Sequence, residues 1–419
     1  MDLTISFSNN SDVSTRTVEL PHSKSILNRL LILGIYHELN VDDVLLDSED
    51  LRTLQNAIGQ MRDPDTSGGV IDIKDSGSAC RFMIPALAFR KGHWTLKGTE
   101  RMHERPVKEL IDVLRSTGCT IKYLQNDGYL PLSISGIEAP TKLAAAFPDT
   151  ISSQYITSLL LSASLFDEGV EIRFSSDQVS ATYIYMTLSL LQRLGYEVEK
   201  QDEDRSIYIH VRCPSTPPST TQGLEEPDWS AASFFFLLKG AGYPGKILLT
   251  GLKSDSIQGD ARAMTIFQQL GVESEFISDG LLIHNRLDGP AEMDLDLSDQ
   301  PDLVIPVVLL CAMRNIGLKV SGVEHLRHKE SDRIDALNKN LEQIGYALKG
   351  AQGKYSLKKI GEWNDSVAVD SYNDHRIAMA FAALSLQRPV SIQRAEVVSK
   401  SFPEYWNKLG TLGFNLQEH

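Results

Sequence analysis

Net positive charge is what this sequence most clearly lacks. Its 419 residues carry 41 Lys and Arg against 55 Asp and Glu, a formal charge of −14. Such acidity argues against nucleic acid as a partner. It also makes any local cluster of Lys and Arg informative, because the cluster runs against the background. Long apolar runs are missing too. The longest, Leu303–Met313, contains a proline and is too short to span a bilayer, so no membrane partner is expected. Met1–Asn10 has neither a basic n-region nor a long apolar h-region, and no signal peptide is expected. Cysteine is scarce. Cys80, Cys119, Cys213 and Cys311 are scattered, with no Cys-x-x-Cys pair. That argues against a disulfide framework and against a zinc or other metal site, and it fits a reducing compartment, the cytoplasm.

What remains is the composition of a globular protein, 42% apolar against 23% charged. The chain is too long for one ordinary core, so two domains are expected. It also repeats. A helical pattern ends in Gly and leads into two short strands: Val107–Gly118 into Cys119–Tyr123 and Leu130–Ile134, then Tyr183–Gly195 into Tyr196–Glu199 and Ser206–Val211. Ala261–Gly271 and Arg333–Gly345 open the same sequence of elements later in the chain. The spacing is roughly 75 residues, longer than a solenoid repeat. Apolar residues such as Leu110, Ile111 and Leu114 follow the helical period, and Gly suits a left-handed helix end. Leu54–Met61 with Val70–Ile73 reads as a degenerate member, and Phe402–Gly413 with Phe414–Gln417 as another that lacks its second return strand. Leu3–Phe7 is the strand available to supply it. Six units then form two similar α/β lobes, one of residues 21–227 and one of 1–20 with 228–419. The stretch Cys213–Pro227, rich in Pro, Ser and Thr, reads as a linker or surface loop.

Polar stretches recur at equivalent places, each just before an apolar helical segment. Pro21–Arg29 puts Ser23, Lys24 and Ser25 at the mouth of the helix Ile26–Tyr36, with Arg29 one turn on. Free N–H groups, hydroxyls and an ammonium at a helix start suit phosphate, although such a stretch alone is more often an ordinary cap. Asp75-Ser76-Gly77-Ser78 precedes Ala79–Ala88, and its glycine lets an anion approach the backbone. Arg101–Pro106 is a dense charged turn. Ser152-Ser153-Gln154 can cap a helix or grip a hydroxylated ligand. In the second half Asp302 precedes the apolar run, as an N-cap or a base of tuned pKa. His328–Arg333, Tyr372–Arg376 and Ser399–Pro403 each open a further helix.

Together with Glu226–Ser230 and Gly259–Arg262, these motifs resemble the 3-phosphoshikimate 1-carboxyvinyltransferase (5-enolpyruvylshikimate-3-phosphate synthase) family, in family order over essentially the whole chain. The resemblance implies the enolpyruvyl transferase fold: α/β, two similar lobes of three βαβαββ-type repeats each (an inverse α/β barrel), with the active site in the interlobe cleft. It implies transfer of the carboxyvinyl group of phosphoenolpyruvate to the 5-hydroxyl of shikimate 3-phosphate, with loss of phosphate, through a tetrahedral adduct, and no cofactor. Shikimate 3-phosphate would meet Lys24, Ser25, Arg29, Ser152, Ser153, Gln154, Ser180, Asp302, His325 and Lys329. Phosphoenolpyruvate would meet Lys24, Gly77, Arg105, Gln154, Arg333, Arg376 and Lys400. Asp302 would be the base and Glu330 the acid, with Lys24 as an alternative for either transfer. Arg forks suit the two phosphates and two carboxylates of such substrates.

Three positions depart from the family pattern: His22 for Gly, His325 for Asn, and Asp75 for Asn. A full charge about 4 Å from a phosphate costs roughly 4 kcal/mol at an effective dielectric near 20. Asp75 is therefore expected to turn away, to pair with an arginine, or to weaken binding. The rival readings are the sister transfer to a UDP-amino sugar and an inactive anion-binding repeat protein. The sister enzyme places a cysteine in its active loop, and Glu100–Pro106 has none, while Cys119 falls in a repeat strand. A monomer acting on small-molecule substrates is expected.

Overall fold

The computed structural model describes residues 1–8, 14–37, 48–62, 68–148, 152–216, 218, 220 and 223–419. The chain divides into two compact units, one of Met1–Ser23 with Glu226–His419 and one of Lys24–Glu225. The chain leaves and re-enters the first unit along a short antiparallel pairing. Ser23 N–H donates to the Glu226 carbonyl (2.7 Å), Asp228 N–H donates to the Pro21 carbonyl (2.9 Å), and His22 bridges to Pro227. Among the described residues no helix is long and apolar enough to cross a membrane.

In chain order, β1 (Leu3–Phe7) and β2 (Thr15–Glu19) belong to the first unit. The second unit then begins with α1 (Lys24–Tyr36) and α2 (Glu49–Arg62). Its first complete repeat is β3 (Gly68–Asp72), α3 (Gly77–Ala88), β4 (Gly92–Lys97), α4 (Glu100–His103), α5 (Lys108–Ser116), β5 (Thr120–Tyr123) and β6 (Leu132–Gly136). The next is β7 (Leu143–Phe147), α6 (Ser153–Leu161), β8 (Val170–Ser175), α7 (Ala181–Arg193), β9 (Glu197–Asp202) and β10 (Ser206–Arg212). Back in the first unit come α8 (Trp229–Ala241), β11 (Lys246–Thr250), α9 (Ala263–Gln269), β12 (Val272–Ile277) and β13 (Gly280–Arg286). Then follow β14 (Glu292–Asp296), α10 (Val304–Met313), β15 (Gly317–Ser321), α11 (Arg333–Glu342), β16 (Tyr346–Ala351) and β17 (Lys354–Lys359). The last are β18 (Val367–Asp370), α12 (His375–Phe381), β19 (Val390–Gln393), α13 (Tyr405–Thr411) and β20 (Phe414–Glu418).

Each repeat makes one four-stranded sheet with the same logic: β3-β4-β6-β5, β7-β8-β10-β9 and β14-β15-β17-β16. The first two strands are parallel, joined by a crossover helix, and the return strands add antiparallel, as in β10 beside β8 and β9. The first unit completes its other sheets with distant strands. β2 lies parallel to β11 in the order β12-β13-β11-β2, so one repeat opens before the second unit and closes after it. β1 lies between β19 and β20 and fills the place of the missing return strand. Five such sheets lie within the described residues, and none closes into a barrel. Stretches 38–47 and 63–67, around the expected degenerate member, fall outside them.

The structure corrects several local expectations. Val70–Ile73 is not the return strand of the unit holding Leu54–Met61. It lies on β3, which pairs in parallel with β4 and opens the following repeat, because α3 supplies the crossover that a parallel pair needs. The first helix starts at Lys24 rather than Ile26, so Lys24 and Ser25 sit in its first turn. Cys119 precedes β5 instead of lying in it. The apolar run is α10, buried along Val304–Ala312 and packed against α8, whose residues are buried except Ser230.

Candidate active site

In the second unit, side chains pin four helix starts together. From α1, Asn28 Nδ2 donates to Ser78 Oγ in the first turn of α3 (2.9 Å). Arg29, one residue on, donates from Nε to Thr187 Oγ1 (2.8 Å) and from Nη2 to the Tyr183 carbonyl (2.9 Å), both in α7. Its Nη1 returns to the Ser25 carbonyl (2.5 Å). From α3, Arg81 Nη2 donates to the Pro106 carbonyl (2.8 Å), which also accepts from Tyr155 Oη in the first turn of α6 (2.6 Å). These bonds tie the N-terminal halves of α1, α3, α6 and α7 to one another, α3 and α6 through the Pro106 carbonyl. Each brings unsatisfied N–H groups and the positive end of a helix dipole, a setting for anions.

The expected residues of this unit occupy those starts. Lys24 opens α1 and pairs with Asp50 at the start of α2 (2.7 Å). Ser152 caps α6, accepting from Gln154 N–H (3.3 Å), and Ser153 is its first residue. Ser180 precedes α7 in the left-handed region, at φ 60, which a non-glycine residue adopts at a cost. Gly77 opens α3 against the Arg105 guanidinium. A methyl group there would meet Arg105 Nη1 at 2.7 Å and Cζ at 2.8 Å. Arg105 itself is buried, and its Nη1 donates to the Asp75 carbonyl (3.4 Å). The Asp75 carboxylate accepts from the Thr99 hydroxyl, the cap of α4, so that side chain has a partner that adds no further negative charge.

In the first unit the helix starts gather carboxylates. Arg333, the first residue of α11, is 2% exposed and donates to three of them. Nε binds Asp374 (2.7 Å), Nη1 binds Asp302 (2.8 Å) and Nη2 binds Glu330 (2.6 Å). The other oxygen of Asp302 accepts from Arg376 Nη2 (2.8 Å). Asp302 lies in the 3-10 turn Pro301–Leu303 and does not cap α10. Its carboxylate faces the two guanidiniums. Asp374 caps α12, after two left-handed residues, Tyr372 (φ 51) and Asn373 (φ 56). Strain of that kind is held only where surrounding contacts over-determine it. Lys400 Nζ donates to the Asn373 carbonyl (3.2 Å).

Burial lowers the His325 pKa to about 3, and nearby Lys329 pushes the same way while Asp302 opposes it. His325 and Lys329 therefore share the surroundings of Asp302 and Arg333. The three carboxylates act oppositely on Arg333 and hold its proton more firmly than usual against the cost of burial. Each terminal nitrogen of Arg333 carries a second N–H, so the fork can take an anionic ligand as well.

Similarity to known proteins gives the family. The family model described as EPSP synthase (3-phosphoshikimate 1-carboxyvinyltransferase) matches residues 10–409. The chain belongs to the EPSP synthase family. A relative from Bacteroides fragilis named 3-phosphoshikimate 1-carboxyvinyltransferase is 36% identical over 96% of each chain. One of the same name from Shewanella pealeana is 31% identical over 94% of this chain and 96% of its own. A solved EPSP synthase from Acinetobacter baumannii shares the fold, with a TM-score of 0.73 at 19% identity over 100% of both chains. Beyond the residues expected from EPSP synthase motifs, three carboxylates were not singled out: Asp374, Asp50 and Asp260. Asp374 carried a signal, because it precedes an apolar helix as a cap should. Asp260 lay inside the motif Gly259–Arg262 without a role of its own, and Asp50 carried no signal.

Proposed function

We propose that this chain transfers the carboxyvinyl group of phosphoenolpyruvate to the 5-hydroxyl of shikimate 3-phosphate and releases phosphate, in the route to chorismate and the aromatic amino acids. The observation that carries the reading is Asp302, a carboxylate gripped by Arg333 and Arg376 at 2.8 Å each, in a chain of this family. Phosphoenolpyruvate is assigned to Lys24, Gly77, Arg105, Gln154, Arg333, Arg376 and Lys400. Shikimate 3-phosphate is assigned to Lys24, Ser25, Arg29, Ser152, Ser153, Gln154, Ser180, Asp302, His325 and Lys329. The enzyme works as a cytoplasmic monomer.

In the addition step the acceptor hydroxyl gives its proton to Asp302, and its oxygen bonds to C2 of phosphoenolpyruvate. Glu330 delivers a proton to C3, turning the methylene into a methyl group. In the elimination step the C2–O bond to phosphate breaks, the electron pair leaves with phosphate, and the methyl group returns a proton. Lys24 is the alternative partner for either proton. Arg333 positions both carboxylates, since Asp302 and Glu330 bind different nitrogens of its fork.

Phosphate release tests the reading. It is expected with shikimate 3-phosphate and absent with UDP-N-acetylglucosamine, and the opposite preference would sink the assignment. Asp302→Asn and Glu330→Gln should each lower turnover by about 10²-fold or more. Binding of shikimate 3-phosphate should survive Glu330→Gln.

A further inference from the structure

The segment that carries Lys329 and Glu330 is braced by groups with no part in the chemistry above. The 3-10 turn Glu324–His328 precedes it, and Lys329 ends that turn in an extended conformation (φ −87, ψ −161). Arg327, inside the turn, engages every nitrogen of its guanidinium. Nε donates to Glu324 Oε1 (3.1 Å), Nη1 to Asp332 Oδ2 (2.9 Å) and Nη2 to Tyr355 Oη (2.8 Å). The ring closes, because Tyr355 Oη donates to Glu324 Oε2 (3.0 Å). That oxygen also accepts from Gly353 N–H (2.8 Å). Gly353 (φ +75) belongs to the two-residue loop between β16 and β17, so Glu324 seats the hairpin tip on the turn. The approach is close: a methyl group on Gly353 would meet Glu324 Cβ at 3.2 Å.

Asp332 joins this brace to α11. Its Oδ2 takes Arg327, while its Oδ1 accepts from Asp335 N–H (3.0 Å) as the helix cap. Residues 328–331 therefore run between two fixed points. The far half is held a second time, by Arg333 on Glu330 (2.6 Å) and by the Ser331 hydroxyl on Asp374 (3.3 Å). On the near half the Lys329 N–H reaches the Leu326 carbonyl only at 3.4 Å, a long bond. The backbone at Lys329 thus depends on Arg327 more than the backbone at Glu330 does. The side chains of Arg327, Glu324 and Asp332 are 36%, 49% and 38% exposed, and single ion pairs in such water contact hold little. Joined in one ring with a phenol and a backbone N–H, they fix a single geometry.

We propose that Arg327 is a positioning residue that sets Lys329 for shikimate 3-phosphate, by bracing the turn before it against Asp332 and the β16–β17 hairpin. The inference rests on the assignment of Lys329 to that substrate. Nothing in it requires Arg327 to touch either substrate.

The test is steady-state phosphate release by Arg327→Met in the full chain, with each substrate varied in turn. The KM for shikimate 3-phosphate should rise about tenfold, the equivalent of one charge-assisted bond. The KM for phosphoenolpyruvate should stay within about twofold of normal, because Arg333 keeps its own carboxylates. A merely structural role would lower the fraction of active enzyme, so kcat would fall with neither KM moved. That result, or an equal rise in both KM values, overturns the proposal. Tyr355→Phe removes the hydroxyl that closes the ring and should raise the same KM by about two- to threefold. Where Arg327→Met does not fold, an unmoved KM in Tyr355→Phe overturns the proposal instead. Lys329→Met run in parallel separates the two readings. An unchanged KM for shikimate 3-phosphate there overturns the assignment of Lys329 and the proposal with it. A raised KM there, beside an unmoved one in Arg327→Met, overturns only the role of Arg327. Adding Arg327→Met to Lys329→Met should raise that KM no further, since the two act as one unit.

Discussion

Arg29 and Arg333 are two buried arginines, one in each unit, and each donates from all three of its nitrogens. Arg29 meets a hydroxyl and two backbone carbonyls, and burial lowers its pKa to about 10. Arg333 meets three carboxylates, and they outweigh the same burial and raise its pKa. Desolvation acts alike on both, so the partners decide the sign. The two units thus solve one problem differently. The second keeps its helix starts together with neutral acceptors around a cation. The first does so with a cation that neutralises several acids, and that leaves proton-carrying groups next to each other.

Removing each arginine would break the comparison most directly. Arg333→Met takes the guanidinium from Glu330 and Asp374, leaves Asp302 with Arg376, and should cost about 3–5 kcal/mol. Arg29→Met leaves only neutral groups without a donor and should cost about 1–3 kcal/mol. Urea denaturation of the two variants measures both, and equal losses would show that the carboxylates around Arg333 are not mutually dependent on it.

A smaller effect comes from His325, the titratable neighbour of that cluster. The unfolded chain takes up a proton near the ordinary histidine value of 6.5, which the folded chain refuses until about pH 3. The unfolded state therefore binds more protons throughout that window, and stability falls as pH drops. His325→Asn should remove this slope, leaving the variant roughly 2 kcal/mol better off at pH 5, relative to its own value at pH 7, than the parent. Parallel losses in parent and variant would mean that His325 charges freely in the fold.

The smallest effect sharpens the picture of the second unit. Gly77→Ala pushes a methyl group into the Arg105 guanidinium, whose Cζ lies 2.8 Å from the ideal Cβ. The KM for phosphoenolpyruvate should rise about tenfold, the equivalent of one charge-assisted bond, while that for shikimate 3-phosphate stays nearly constant. Steady-state kinetics with each substrate varied would place Gly77 outside the phosphoenolpyruvate site if both constants rose equally.

The repeats were legible because they are local. A helical period, a glycine in the left-handed region such as Gly345 (φ +75), and two alternating strands all lie within one stretch of chain. Val70–Ile73 was misplaced because its strand pairs with β4, beyond an intervening helix, and a strand reads the same whichever sheet it joins. The candidate residues at helix starts were legible as types: hydroxyls, glycines, Lys and Arg before apolar segments. Their partners were not. Nothing near Lys24 in the chain announces Asp50, and nothing near Arg333 announces Asp374.

The order of residues was enough to specify which groups stand at each helix start, since caps, glycines and apolar periods act over a few positions. Glu330 lies three residues from Arg333, but the other acids that face it were settled by packing. Arg333 meets Asp302 and Asp374 across separations of 31 and 41 residues, and Arg29 meets Thr187 across 158. Charge interactions depend on distance and burial in space, and neither quantity exists until the helices have packed.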